Sequence, residues 1–208
     1  MTKPVDNEGL RITDADVAGR REAQALARTD ARRALRVARA IRHPWYRCQA
    51  LTSVAEAMVA SADRDDVLSE AVDAAFEQDE PNRIACAASW PLRVLVRSGH
   101  ADARRVIERL LRAIAREPHG LRRLDGLAAI IGPLLAIPEL RAKAWRPFVE
   151  SAQASSGWRT ERLVAWMSVA LAEHDRDAAL GLLAGRGDNR FVAKARSAIA
   201  TMKATPSS

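Results

Sequence analysis

HPWYRCQALTSVAEAMV, residues 43–59, is echoed by EPNRIACAASWPLRVLV at 80–96 and by EPHGLRRLDGLAAIIGP at 117–133. Each segment carries a proline at its second position, and Pro44, Pro81 and Pro118 lie 37 residues apart. Within five residues of each proline comes an arginine, then an apolar run at helical spacing. A fixed period of this length marks stacked helix-turn-helix units, because no single unit can bury its apolar face alone.

Composition points the same way. The 208 residues are 48% hydrophobic but only 4% aromatic, and alanine, leucine and arginine dominate. These are strong helix formers, and no stretch alternates with period two long enough to suggest a strand. The chain reads as all-α. Asp6 and Glu8 interrupt the first ten residues, which contain no apolar core of a signal peptide, so a cytoplasmic protein is expected. The longest uncharged stretch, residues 126–138, is too short to cross a bilayer and is broken by Gly132 and Pro133, which reads as a core helix and no membrane partner. Cys48 and Cys86 show no CxxC spacing and no nearby histidine ligand, so two free thiols are expected.

Punctuation divides the chain into units. Residues 1–30 read as a tail and a capping helix from Thr13 to about Arg28, with Thr13 and Asp16 spaced as a capping box. Residues 31–203 form the repeat domain, and 204–208 read as a disordered tail. Repeat one pairs a helix from Ala31 to Arg42 with one from Trp45 to Ala62, buried through Leu51, Val54, Ala55, Met58 and Val59. Repeat two begins at an Asp63 N-cap, runs to Gln78, and continues from Pro81 to Ser98 with Gly99 as its stop and a kink at Pro91. Repeat three covers Ala101 to Glu117 and Pro118 to Ile137, with a bend at Pro133. A fourth pair, Glu139 to Ala154 and Trp158 to His174, joins through Ser155, Ser156 and Gly157, and a shorter fifth pair, Arg176 to Ala184 and Asn189 to Lys203, closes the array.

With these units, the chain resembles the HEAT-like and TPR-like helical-repeat families over roughly residues 31–203. The resemblance implies a right-handed α-solenoid of about five antiparallel helix pairs behind an N-terminal capping helix. It also implies that the second helix of each pair lines a concave face that binds another macromolecule.

Arg47, Arg83, Arg122 or Arg123, Arg159 or Arg162, and Arg190 fall near the start of a second helix, where the macrodipole disfavours a cation by a few tenths of a kcal/mol, up to about 1. Two compensations are open: the guanidinium caps carbonyls of the preceding helix, or it forms a ladder that takes carboxylates or phosphates. The formal net charge of +7 raises the second possibility. Against it, the acidic stripe Asp66, Glu70, Asp73 and Glu77 is spaced to face two basic ones, Arg32, Arg33, Arg36 and Arg39 on one side and Arg105, Arg109, Arg112 and Arg116 on the other. The basic residues left over are Arg93, Arg97, Arg122, Arg123, Arg190, Lys194, Arg196 and Lys203. Trp45 and Trp158 read as staples at helix starts, and Trp90, Trp145 and Trp166 as core residues.

No GxSxG, HExxH or Walker sequence occurs. His43, His100, His119 and His174 all lie near helix ends, where an imidazole caps a turn. The expectation is a non-enzymatic adaptor with no catalytic residue, metal or cofactor, binding an acidic or extended segment of a partner protein. Its candidate contacts are Arg47, Arg83, Arg93, Arg97, Arg122, Arg123, Arg162, Arg190 and Lys194. The alternative is a nucleic-acid binder similar in size, charge and repeats to the HEAT-like DNA alkylation-repair glycosylases, in which case Asp125, beside Trp90 or Trp166, is the implied acid.

Overall fold

The computed structural model describes residues 11–187 and 189–202. Among them there is no strand, and the helices run α1 Asp14–Leu26, α2 Ala31–Ala40, α3 Pro44–Ala57, α4 Ala62–Phe76, α5 Pro81–Arg97, α6 Asp102–Ile114, α7 Leu121–Ile131, α8 Pro138–Gln153, α9 Trp158–Ala172, α10 Arg176–Leu183 and α11 Arg190–Thr201. The tail expected at 204–208, the first ten residues and the Lys203 helix end lie outside the described residues. The chain divides into two compact units between Ala113 and Ile114.

Several helix starts follow from local chemistry. Thr13 and Asp16 form the capping box: the Asp16 amide donates to the Thr13 hydroxyl at 3.3 Å, and the Thr13 amide donates to the Asp16 carboxylate at 2.9 Å. Pro44 and Pro81 occupy the first turn of α3 and α5, where the missing amide costs nothing. Asp175 caps α10 by accepting from the Ala178 amide at 3.0 Å. Gly99 closes α5 at φ 63°, with the His100 amide donating to the Leu95 carbonyl and the Gly99 amide to Val96. That paired pattern needs a left-handed residue, which glycine adopts without a Cβ penalty.

Other boundaries differ from the sequence reading. Ser61, not Asp63, caps α4, leaving Asp63 in the first turn where its charge suits the dipole. The third second-position helix starts at Leu121, three residues after Pro118, because Gly120 rather than the proline supplies its N-cap. It gives way to a 3₁₀ turn over Gly132–Leu134, since Pro133 cannot continue the α-helical hydrogen bonding. α3 stops at Ala57, so Val59 lies beyond the helix and is 86% exposed instead of buried.

In the first unit α3 packs on α1, α2, α4 and α5, and α4 packs on α5. In the second, α9 packs on α7, α10 and α11, and α7 on α8. Alanine fills much of both cores: Ala34, Ala38, Ala55, Ala71, Ala75 and Ala87 are fully buried in the first and Ala144 and Ala179 in the second. Leu124, Leu127, Ile130 and Ile131 of α7 are fully buried too, as their spacing requires.

α5 runs through Pro91. A proline here leaves the carbonyl four residues earlier, that of Ala87, without its helical donor. The buried Cys48 thiol of α3 points at this carbonyl at 3.3 Å. Burial pushes the Cys48 thiol up to about 12, so it stays protonated and able to donate.

Candidate functional site

The arginines at helix starts separate into three groups. The first reaches back to helix ends. Arg47 donates to the Ile41 and Arg42 carbonyls, both at 3.1 Å, and Arg123 donates to Glu117 at 3.1 Å and Ala115 at 3.4 Å. These carbonyls lie just past the ends of α2 and α6, where no helical amide serves them. Arg141, which the sequence reading passed over, does the same for Leu135 at 3.0 Å. In all three the arginine lies six residues beyond a carbonyl that it satisfies. Arg64, Arg186 and Arg196 serve the Ala55, Ala152 and Leu183 carbonyls in the same way.

The second group is paired with carboxylates. Arg83 lies 3.5 Å from Asp79 and 3.1 Å from Glu80, Arg122 lies 2.9 Å from Glu117, and Arg97 lies 3.9 Å from Glu56. The expected facing stripes meet at one pair on each side: Glu70 of α4 takes Arg39 of α2 at 2.5 Å and Asp73 takes Arg109 of α6 at 3.0 Å, while Glu77, the C-cap of α4, takes Arg47 of α3 outside either stripe.

The third group is backed by aromatic rings. Arg93 lies 5.2 Å from the Trp90 ring centre on α5. Arg159 and Arg162 lie 5.2 and 5.4 Å from Trp158 on α9. Arg190 lies 4.7 Å from Phe191 on α11, and Lys194 is exposed one turn further along. Arg159, Arg162 and Arg190 are exposed, whereas Arg93 is half-buried with its Nε shut away from solvent. Among the described residues none of Arg93, Arg159, Arg162 or Arg190 meets a carboxylate. These are the cations of the candidate set that the fold has not consumed.

Trp166 belongs beside them. It is 56% exposed, as is Trp158, although its neighbours Ala165 and Met167 are buried and made it read as core. The signal was in the period: the buried stripe of α9 is Val164, Met167, Ser168 and Leu171, and Trp158, Arg162 and Trp166 fall on the other side. α9 is anchored at its first turn by Glu161, which takes Arg186 at 2.6 Å and the Asn189 amide group at 3.3 Å.

Other polar clusters are closed on themselves. A cleft of about 300 Å³ in the first unit is lined by Asp65, Asp73, His100, Asp102, Arg105 and Arg109. Most of its charges pair internally, Asp73 with Arg109, Asp102 with Arg105 at 3.2 Å and His100 beside Asp65 at 3.4 Å, while Arg112 also lines it. His100 Nδ1 accepts the Asp102 amide and His43 Nδ1 the Trp45 amide, so both imidazoles cap helix starts. His119 is hydrogen-bonded to the Ser151 hydroxyl at 3.1 Å. Asp125 is exposed on α7 and engaged by a neighbour. Among the described residues no three His, Cys, Asp or Glu side chains gather as metal ligands, and neither cysteine is in a disulfide.

No family model matches the chain, and no curated protein or solved structure matches it. Among the described residues no helix is long and apolar enough to cross a membrane.

Proposed function

We propose that this protein is a non-enzymatic cytoplasmic adaptor of the HEAT-like and TPR-like kind, binding an acidic segment of a partner protein. Within each unit the helix pairs are read as successive repeats of a right-handed α-solenoid. Layering supports this: α1, α3 and α5 pack in series, as do α7, α9 and α11, while α2, α4 and α6 are tied by Arg39–Glu70 and Arg109–Asp73. The observation that carries the function is the recurrence, on α5, α9 and α11, of an aromatic-backed arginine with no carboxylate partner. A cation steadied against a ring has less side-chain entropy to lose when it binds an anion than a free one.

Titration calorimetry of the full chain with an oligoglutamate peptide tests this reading. Binding should weaken with salt and fall at least about tenfold, or about 1.4 kcal/mol, when Arg93, Arg162 and Lys194 are reversed to glutamate together. Unchanged binding in that triple variant would falsify it. Tighter, steeply salt-dependent retention of duplex DNA would replace it with the nucleic-acid reading. Release of the alkylated base from DNA, leaving an abasic site and lost in Asp125→Asn, would make the protein a glycosylase.

A further inference from the structure

Trp158, Arg162 and Trp166 follow each other at four-residue intervals on α9, so they wind along one side of the helix over about 12 Å. Both tryptophans are more than half exposed. Leaving two indoles more than half in water forgoes much of the burial they could gain, and the buried stripe of α9, Val164, Met167, Ser168 and Leu171, lies on its other side. Arg159 and Arg162 lie 5.2 and 5.4 Å from the Trp158 ring centre, are exposed, and among the described residues meet no carboxylate. The unit is basic as a whole, with fourteen Lys and Arg against nine Asp and Glu in residues 114–208, whereas residues 1–113 hold nineteen against seventeen.

We propose that this stripe is the docking site for an acidic protein helix carrying two apolar side chains two turns apart, one for each tryptophan, with a carboxylate between them for Arg159 and Arg162. The inference rests on the adaptor reading and gives it a place and a partner chemistry. Tryptophan and arginine together make the residue pair most enriched where binding energy concentrates. Charge complementarity selects an acidic occupant. A protein segment fits better than a nucleic-acid strand because Glu173 stands exposed at the end of α9. This acid repels a continuous phosphate chain, while a peptide can place a neutral residue beside it.

The test uses full-length protein and a glutamate-rich helical peptide of about 18 residues bearing two leucines eight positions apart, with a control in which both leucines are glutamine. The leucine peptide should bind more tightly than the control. Trp158→Ala, Trp166→Ala and Arg162→Glu should each weaken it by about tenfold or more, while Trp166→Phe retains most of the affinity. Because these side chains are exposed, circular dichroism and melting should match the parent and show that each variant is folded. If the α9 variants bind like the parent while Arg93→Glu loses the peptide, the docking site is elsewhere and the adaptor reading survives. If neither peptide binds, both readings fall. Tighter binding of oligouridylate than of the leucine peptide overturns the protein occupant, and a sedimenting dimer abolished by Trp166→Ala makes a second copy of the chain the occupant.

Discussion

At Cys48 a single thiol answers a defect one helix away. Pro91 removes the amide that would have served the Ala87 carbonyl, and the Cys48 thiol, 3.3 Å away, is its substitute. A thiol is a weak donor, so the contact contributes about 0.5–1 kcal/mol. Cys48→Ala should therefore cost more in the parent than in Pro91→Ala, where the backbone amide is restored; urea denaturation of the four-member cycle should show a coupling of about 0.5–1.5 kcal/mol, and additivity would remove the account. Asp16 is a second single-residue device. Burial works to raise its carboxyl pKa, but hydrogen bonds from the Thr13 hydroxyl and from the His43 and Thr13 amides outweigh it and hold the group below the ordinary carboxylate value. A depressed folded-state pKa contributes stability that is present above the unfolded value of about 3.9 and is lost as pH falls through the lower folded value. In Asp16→Asn that contribution should vanish, flattening the acid limb of stability against pH, and Asp16→Ala should cost about 2–3 kcal/mol at neutral pH by also stranding the buried His43 amide.

Helices in this chain are joined by arginines that reach from the start of one element to the carbonyls ending another. Arg141 is the most buried example, with 9% of its side chain exposed; it donates to Leu135 at 3.0 Å and to Asp175, the N-cap of α10, at 2.6 Å. Removing it leaves a carbonyl and a carboxylate unserved, so Arg141→Ala should destabilise by about 2–4 kcal/mol in denaturant titration. Arg141→Lys should recover only part, because an ammonium cannot span both acceptors with fixed geometry. Arg83, about half exposed and paired only within its own turn, should cost under about 1 kcal/mol when changed to alanine. The contrast shows which parts were legible in the sequence. Helix starts at Thr13, Pro44, Pro81 and Asp175 were readable because their chemistry is local. The start at Leu121 was not, since Pro118 and Gly120 both fit a helix beginning and only the packing of α7 chooses between them. Trp166 read as core because its neighbours along the chain are apolar, whereas burial is decided by neighbours around the helix. The division of arginines into caps, ion pairs and ring-backed cations was invisible, because each depends on which carbonyl or carboxylate the fold brings within reach.

Across the whole chain 33 Lys and Arg stand against 26 Asp and Glu, and the acids of α4 and its C-cap hold arginines from three other helices. Glu70 takes Arg39 and raises its already high pKa through that hydrogen bond, Asp73 takes Arg109, and Glu77 takes Arg47. These acids are 37%, 65% and 57% exposed, so their loss should cost only about 0–1 kcal/mol each. Arg109 also keeps its seat 3.7 Å over the Phe76 ring, and Arg47 keeps its two carbonyls. The acidic helix is therefore expected to contribute little to holding the fold, and its loss should show chiefly in how the basic neighbours meet polyanions. Glu70→Gln, Asp73→Asn and Glu77→Gln combined should lower the melting temperature by no more than about 10 °C. The same triple variant gains three net positive charges, released on α2, α3 and α6. It should retain duplex DNA at low salt more strongly than the parent, with a steeper fall of binding with salt, because each additional phosphate neutralised adds about 0.9 to the slope of log K against log salt. Equal DNA retention by parent and variant would mean that the arginines of α2 and α6 are already exposed to polyanions and that α4 does not mask them. Strong retention by the parent itself would move the basic surface of the first unit from structure into function.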